Sequence, residues 1–242
     1  MKRVFVAALL MITALVGVSA SPPVAAEHAE SPAGASRDVA NRLGNGHSNA
    51  CIVLDNGNVR CWGSFYGTGV PDSGVIGDDE TPDTVRPVDL GERTVTEVDG
   101  GQLHTCVLLD DGAVRCWGVS GEGRNGLPGE SRNIGVSIEP LTGPAISLGG
   151  PATAIAAVNF HTCAIVADGS VRCWGRAREG QLGYGNEVVV GDAISPAAAG
   201  PVAIGPGRTA TAITAGRYHT CAILDTGDVR CWGLRNSVPS FP

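Results

Sequence analysis

The sequence predicts an all-β fold assembled from four copies of one short unit. The last copy runs from His219 to Gly233, and the others occupy residues 49–63, 104–118 and 161–175. All eight cysteines and all four tryptophans lie inside these copies. The first cysteines of successive copies stand 55, 57 and 58 residues apart, a period typical of stacked repeat architectures. Fold and function should therefore be read from the repeated unit.

Each copy is predicted to form a β-hairpin. In the second copy an apolar run from Cys106 to Leu109 precedes a three-residue turn, and the return strand runs from Ala113 to Trp117. Glycine occupies the third turn position in every copy, as expected where the backbone must adopt a positive φ. These glycines are Gly57, Gly112, Gly169 and Gly227.

A hairpin with this turn places the two cysteines of each copy opposite each other. Directly opposed Cβ atoms on antiparallel strands are about 4.5 to 5.5 Å apart, near enough for a disulfide after a small adjustment. The uniform gap of nine residues differs from the Cys-x-x-Cys spacing of zinc sites, so no metal site is predicted. The predicted disulfides are Cys51–Cys61, Cys106–Cys116, Cys163–Cys173 and Cys221–Cys231.

Both faces of each hairpin are largely apolar. In the last copy Cys221 and Ile223 alternate with Ala222 and Leu224, so each set points to a different side of the strand. A hairpin with two apolar faces needs a neighbour on both sides. Blades stacked around an axis provide this, whereas a two-layer sandwich leaves one face in water.

The chain resembles the regulator of chromosome condensation repeat family. The resemblance rests on the His-Thr-Cys strand, the Asp-Gly turn, the Val-x-x-Trp-Gly strand and a following glycine-rich loop, seen best at residues 180–186. It covers residues 39–242 and implies β-propeller repeats. Family members usually close a ring of about seven blades, so about four blades imply an incomplete or open ring. The structural repeat residues are Trp62, Trp117, Trp174, Trp232, His104, His161 and His219.

The copies also depart from the family pattern. Asn49 replaces the histidine in the first copy, and the second carries Gly121 to Gly126 in place of the glycine-rich loop. The fourth is followed by residues 234–242, which contain no such loop. Exposed blade edges at the ends of the array predict self-association.

The amino terminus is predicted to direct export. Met1-Lys2-Arg3 followed by an apolar run to about Val18 is typical of a secretory signal peptide. We assign the signal to residues 1–26, with cleavage after Ala20 or Ala26, and a disordered linker to residues 27–38. The expected location is extracellular, on the cell surface or in the periplasm, without stable membrane insertion after cleavage. An oxidising compartment also suits eight paired cysteines.

The net charge of −7 becomes −9 once Lys2 and Arg3 leave with the signal. An acidic protein lacks the basic face that nucleic-acid binding requires, so no nucleic-acid partner is expected. The four equivalent arginines of the return strands are interpreted as structural, with each guanidinium bound to nearby carbonyls or carboxylates. They are Arg60, Arg115, Arg172 and Arg230.

The pattern predicts a binding protein, not an enzyme. The histidines are copies of one blade position, whereas catalytic sites combine unlike residues, and no nucleophile, base and orienting residue form a set. We expect no cofactor, and a protein or cell-surface partner bound by a non-catalytic module, in a narrower form an inhibitor of an extracellular enzyme. The alternatives are an extracellular polymer-degrading hydrolase or lyase using the acidic segment 72–83, or a truncated fragment without independent function.

Overall fold

The computed structural model describes residues Arg42 to Leu234 as four three-stranded antiparallel sheets, here called blades 1 to 4. The predicted signal peptide and linker lie outside the described residues. Blade 1 contains β1 (Leu43–Asn45), β2 (Asn49–Val53) and β3 (Val59–Gly63); blade 2 contains β4 (Val95–Gly100), β5 (His104–Leu109) and β6 (Val114–Gly118); blade 3 contains β7 (Ala152–Val158), β8 (His161–Val166) and β9 (Val171–Gly175); blade 4 contains β10 (Ala210–Gly216), β11 (His219–Leu224) and β12 (Val229–Gly233).

Helical structure in the described residues is short. One-turn helices α1 (Phe65–Thr68) and α2 (Pro196–Ala199) lie in the loops after blades 1 and 3, and 3-10 turns span Gly121–Gly123 and Pro140–Thr142. Between residues 42 and 234 there is no helix long and apolar enough to span a membrane. The all-β prediction with four blades is confirmed.

The second and third strands of each blade form the predicted hairpin. In blade 2, Cys106 pairs with Cys116 and Leu108 with Val114, which leaves the three-residue turn 110–112. Gly112 has a φ of 79°, and a Cβ there would come within 2.5 Å of Pro151. The turn therefore needs glycine both for its backbone conformation and for the close approach of the next blade.

A disulfide bond clamps every hairpin. The bonds join Cys51 to Cys61, Cys106 to Cys116, Cys163 to Cys173 and Cys221 to Cys231, with Cα–Cα distances of 4.0 to 4.1 Å. No cysteine is free.

The core lies between consecutive blades. We call the strand face that carries the cysteines the forward face and the face that carries the tryptophan the rear face. The forward face of each blade packs on the rear face of the next, as the contact between Cys163 and Thr220 illustrates. Trp117 and Trp174 are fully buried in these interfaces, where their size makes them major contributors to packing.

Outside the third strand, the chain returns and bonds to both ends of that strand. In blade 1, Gly63 exchanges hydrogen bonds with Ile76, and the Val88 N–H donates to the Val59 carbonyl. The corresponding segments are 76–88, 134–146 and 190–202 in blades 1, 2 and 3. The guanidinium of Arg60 donates to three carbonyls of the first segment, those of Pro82, Asp83 and Val85, and Arg115 acts likewise in blade 2.

Candidate interaction surface

The turns that join the first and second strands lie at the same end of each blade, and together they form one side of the array. We call them the inner-turn surface; they comprise residues 46–48, 101–103, 159–160 and 217–218. Hydrogen bonds link each turn to the next: His47 N–H donates to the Gly101 carbonyl (3.1 Å), and Gln102 N–H donates to the Asn159 carbonyl (2.8 Å). The Asn159 side-chain amide then donates to the Arg217 carbonyl (3.4 Å). The four turns are therefore held as one surface.

This surface contains a cleft of about 370 Å³. His47 and Arg217 are exposed at its rim, and Arg217 lies 5.0 Å from the ring centre of Tyr218. Each blade contributes different side chains, unlike the repeated hairpin cores. The lining residues are Asn45, Gly46, His47, Gly100, Gly101, Gln102, Val158, Asn159 and Arg217.

A cluster of arginines around Phe160 adjoins the cleft. The guanidinium carbons of Arg124 and Arg176 lie 4.9 and 5.2 Å from the Phe160 ring centre, within the range of cation–π attraction. Glu122 accepts from Arg124 at 3.1 Å, and Glu179 pairs with Arg176. Burial lowers the pKa of the Arg124 guanidinium below its ordinary value. The two arginines of the cluster are therefore partly charge-compensated.

Behind the surface, a repeated set of hydrogen bonds joins neighbouring blades. The Nε2 of His161 lies 2.9 Å from the Thr220 hydroxyl, which donates to the Gln181 carbonyl at 3.0 Å. Because the hydroxyl proton is used on the carbonyl, the imidazole must donate from Nε2. The Trp232 indole donates to the same carbonyl at 2.9 Å. We call this arrangement of imidazole, hydroxyl, indole and loop carbonyl the clasp.

Parts of this arrangement recur at the other two blade junctions. His104 bonds to Thr162, and Trp174 donates to the Arg124 carbonyl. At the first junction Asn49 replaces histidine, and its amide donates to the Thr105 hydroxyl at 3.0 Å. Thr105 and Trp117 both donate to the Gly67 carbonyl.

The histidines of the clasp are neutral. Burial, with a smaller contribution from Arg124, lowers the pKa of His104 to about 3, and burial lowers the pKa of His161 to about 3. A neutral, fully buried imidazole that is hydrogen-bonded to a structural hydroxyl is poorly placed for proton transfer to a substrate. The structure thus places His104 and His161 between blades and away from the surface.

Sequence reasoning missed two carboxylates on the inner strand of blade 2. Glu97 accepts the Ile155 backbone N–H at 3.0 Å, and Asp99 accepts the Ala157 backbone N–H at 2.8 Å. Burial raises the pKa of Glu97 to about 7 and that of Asp99 to about 6. Their spacing of two residues on a strand was a signal, because it places both side chains on one face. They bridge blades 2 and 3.

The acidic segment 72–83 lies apart from these contacts. Asp78, Asp79 and Glu80 have carboxylate oxygens within 4.8 Å of one another at an exposed position. Glu80 accepts from the backbone N–H of Gly77 at 2.9 Å. These three carboxylates face solvent, although the same segment is tied to blade 1 through the buried Ile76.

Comparison with known proteins identifies the repeats. A family profile for the regulator of chromosome condensation (RCC1) repeat matches residues 95–124, 152–181 and 210–238, and a second profile of that description matches residues 168–223. The human regulator of chromosome condensation is 33% identical over 125 residues, which are 50% of this chain and 28% of the human protein. The mitochondrial RCC1 domain-containing protein RUG3 of Arabidopsis thaliana is 27% identical over 199 residues, 77% of this chain and 42% of its own length.

The fold has the same relatives. A chain in the crystal structure of Kap60 bound to yeast RCC1 (Prp20) superposes with a TM-score of 0.59 at 20% identity, covering 82% of this chain and 44% of that one. The chain spans less than half the length of the curated relatives described above. Repeated hairpins, blade stacking and family profiles agree, and the chain belongs to the regulator of chromosome condensation repeat family, here with a disulfide bond in each of its four blades.

Proposed function

We propose that this protein is an exported, non-catalytic binding module whose inner-turn surface engages a protein or cell-surface partner. The observation that carries the proposal is the contrast between repeated and unrepeated residues. The blade cores repeat the same side chains, whereas the four turns present unlike ones on a single linked surface. In repeat scaffolds such variable loops on a constant framework are where partners bind.

The chemistry of the surface supports a protein partner. It offers the exposed cation Arg217, a cleft of about 370 Å³ and a half-buried aromatic ring at Phe160. Arginine and aromatic side chains are enriched where protein interfaces gain most of their affinity. Proteins built on this repeat are generally binding or regulatory modules, which agrees with the proposal.

Export is proposed from the same structure and from the predicted signal. Four disulfides within about two hundred residues suit an oxidising compartment. Inhibition of an extracellular enzyme is the narrower form of the proposal. It is tested by titrating the oxidised protein against secreted hydrolases, and absence of inhibition at micromolar concentrations would remove it.

The test of the binding surface compares two charge reversals on blade 4. Arg217→Glu alters the inner-turn surface, whereas Arg208→Glu alters the opposite end of the blade, where Arg208 pairs with Asp225 at 3.4 Å. The wild type and both variants are immobilised and exposed to culture-medium and cell-surface protein from the source cells. We expect a partner retained by the wild type and by Arg208→Glu but lost with Arg217→Glu. Equal retention by all three would place binding elsewhere.

A further inference from the structure

The two ends of the blade array expose complementary surfaces. Blade 4 presents its forward face, on which Ile223 is 44% and Val229 43% exposed. The equivalent Ile165 and Val171 of blade 3 are 3% and 0% exposed, because blade 4 covers them. Within residues 42–234 nothing covers this apolar face of blade 4.

Blade 1 presents the opposite kind of surface. Its rear face carries Ile52 and Trp62, both half-buried, whereas the equivalent Val107 and Trp117 of blade 2 are fully buried. In blade 2 the Trp117 indole N–H donates to the Gly67 carbonyl. Among the described residues no carbonyl accepts the equivalent indole N–H of Trp62. The exposed rear face is therefore of the same type as the three rear faces that are already covered.

We propose that the forward face of blade 4 binds the rear face of blade 1 of a second copy of this chain. The proposal goes beyond the function proposed above. Forward and rear faces pack against each other at three junctions inside the molecule, and a fourth junction between copies would continue that packing. The same two faces would meet in the same order, so the contact is head-to-tail. Such a contact yields a closed ring when the rotation allows it and an open chain of molecules otherwise.

The residues at the junction predict how strong it is. At the internal junctions His104 and His161 hydrogen-bond to Thr162 and Thr220. At the junction between copies His219 would face Ala50, which has no hydroxyl. The clasp is therefore incomplete, and association is expected to be weaker than the packing of blades within the chain. Because the contact is mainly apolar, its strength should depend little on salt.

The experiment measures assembly of the purified, oxidised chain by light scattering and sedimentation at increasing concentration. Ile223→Glu blocks the forward face, Ile52→Glu blocks the rear face, and Val188→Glu, at a side chain 54% exposed on a loop of blade 3, is the matched control. Circular dichroism and a free-thiol count check that each variant folds. We expect the wild type and the control to associate, and each blocked variant to be monomeric.

Two further samples make the test specific. A mixture of Ile223→Glu and Ile52→Glu should form a one-to-one dimer and nothing larger, because one intact face of each kind remains. Ala50→Thr should tighten association about tenfold by restoring the hydroxyl for His219. A wild type that stays monomeric at about 100 µM, or association that survives both blocking substitutions, would overturn the proposal. Neither outcome bears on the inner-turn surface, which lies on another side of the blades.

Discussion

At the scale of single residues, the blades are joined by polar groups buried in an apolar interface. Thr162 and Thr220 are fully buried, and each hydroxyl is hydrogen-bonded to a neutral imidazole of the preceding blade. A buried polar group costs most when its partner is removed. The clasp therefore fixes the register between blades, since a shifted blade would leave imidazole, hydroxyl and carbonyl unpaired.

Removing one clasp hydroxyl should destabilise the protein. We expect Thr162→Val to lower the free energy of unfolding by about 2 kcal/mol, because the buried His104 imidazole loses its hydrogen-bond partner while side-chain volume is kept. Urea denaturation measures the change. Thr211→Val, at an exposed position on β10, is the control and should change stability by less than about 0.5 kcal/mol. An equal effect of the two substitutions would contradict the role given to the clasp.

Asn125 is also a buried polar residue, but its side-chain amide is not hydrogen-bonded within residues 42–234. It is 2% exposed, and neither amide atom has a hydrogen-bond partner among the described residues. The equivalent position of blade 3 holds the buried Leu182. We expect Asn125→Leu to raise the free energy of unfolding by about 1 to 2 kcal/mol by removing an unpaired amide. Thermal unfolding would show a higher midpoint, and Leu182→Asn should lower it; a fall with Asn125→Leu would show that the amide is satisfied.

At the scale of elements, the hairpin is the part of the molecule that the sequence predicts best. Gly112, the paired Cys106 and Cys116 and the alternation of side chains define turn, register and faces, and the structure has all three. The junctions between blades were harder to predict, because Trp174 and the carbonyl of Arg124 meet only after blades stack. The pair Asn49-Ala50, where other copies have His-Thr, was the one sequence signal for these contacts.

The disulfides are predicted to stabilise each hairpin as a unit. Replacing Cys163 and Cys173 together by serine should cost about 2 to 3 kcal/mol through the greater freedom of the unfolded chain, plus the burial of two hydroxyls. Cys221→Ser with Cys231→Ser, on the half-exposed face of blade 4, should cost less, because the new hydroxyls reach water. Chemical denaturation of both double variants compares the two. A larger loss in blade 4 than in blade 3 would contradict this ranking.

At the scale of the whole molecule, the free energy of unfolding should depend on pH through two buried groups, Glu97 and His104, whose contributions change with pH in opposite directions. Burial raises the pKa of Glu97 to about 7, and the nearby Asp99 carboxylate adds to this rise. The hydrogen bond from the Ile155 N–H acts in the opposite direction and lowers the pKa. The contribution of Glu97 is fully present below its ordinary pKa and is lost as pH rises through about 7. The pKa of His104, lowered to about 3, acts in the opposite sense: its contribution is present above about pH 6.5 and is lost as pH falls.

Glu97→Gln separates these contributions. The amide oxygen can still accept the Ile155 N–H, but it does not ionise, so the variant should be more stable than the wild type at about pH 8 and nearly equal at about pH 4. Thermal unfolding across this range measures the difference, and the exposed Glu92→Gln is the control. A wild type that gains stability relative to Glu97→Gln as pH rises would show that the Glu97 pKa is lowered instead.

The organisation of the whole array was predicted only in part. Four blades in an open arrangement follow from the copy count, but the linked inner turns do not, because Gln102, Asn159 and Arg217 share no motif. Most of their contacts arise from backbone groups brought together by stacking, and side-chain patterns carry little information about them. The proposed binding function therefore depends on residues that the repeat leaves free to vary.

The most direct test of an exported, disulfide-clamped binding module is non-reducing peptide mapping of the protein recovered from culture medium of the source cells. We expect recovery of a chain that begins at Ser21 or Glu27, with four bonds that each join the two cysteines of one hairpin and no free thiol. Retention inside the cell with Met1 intact, or reactive thiols in place of these bonds, would contradict it.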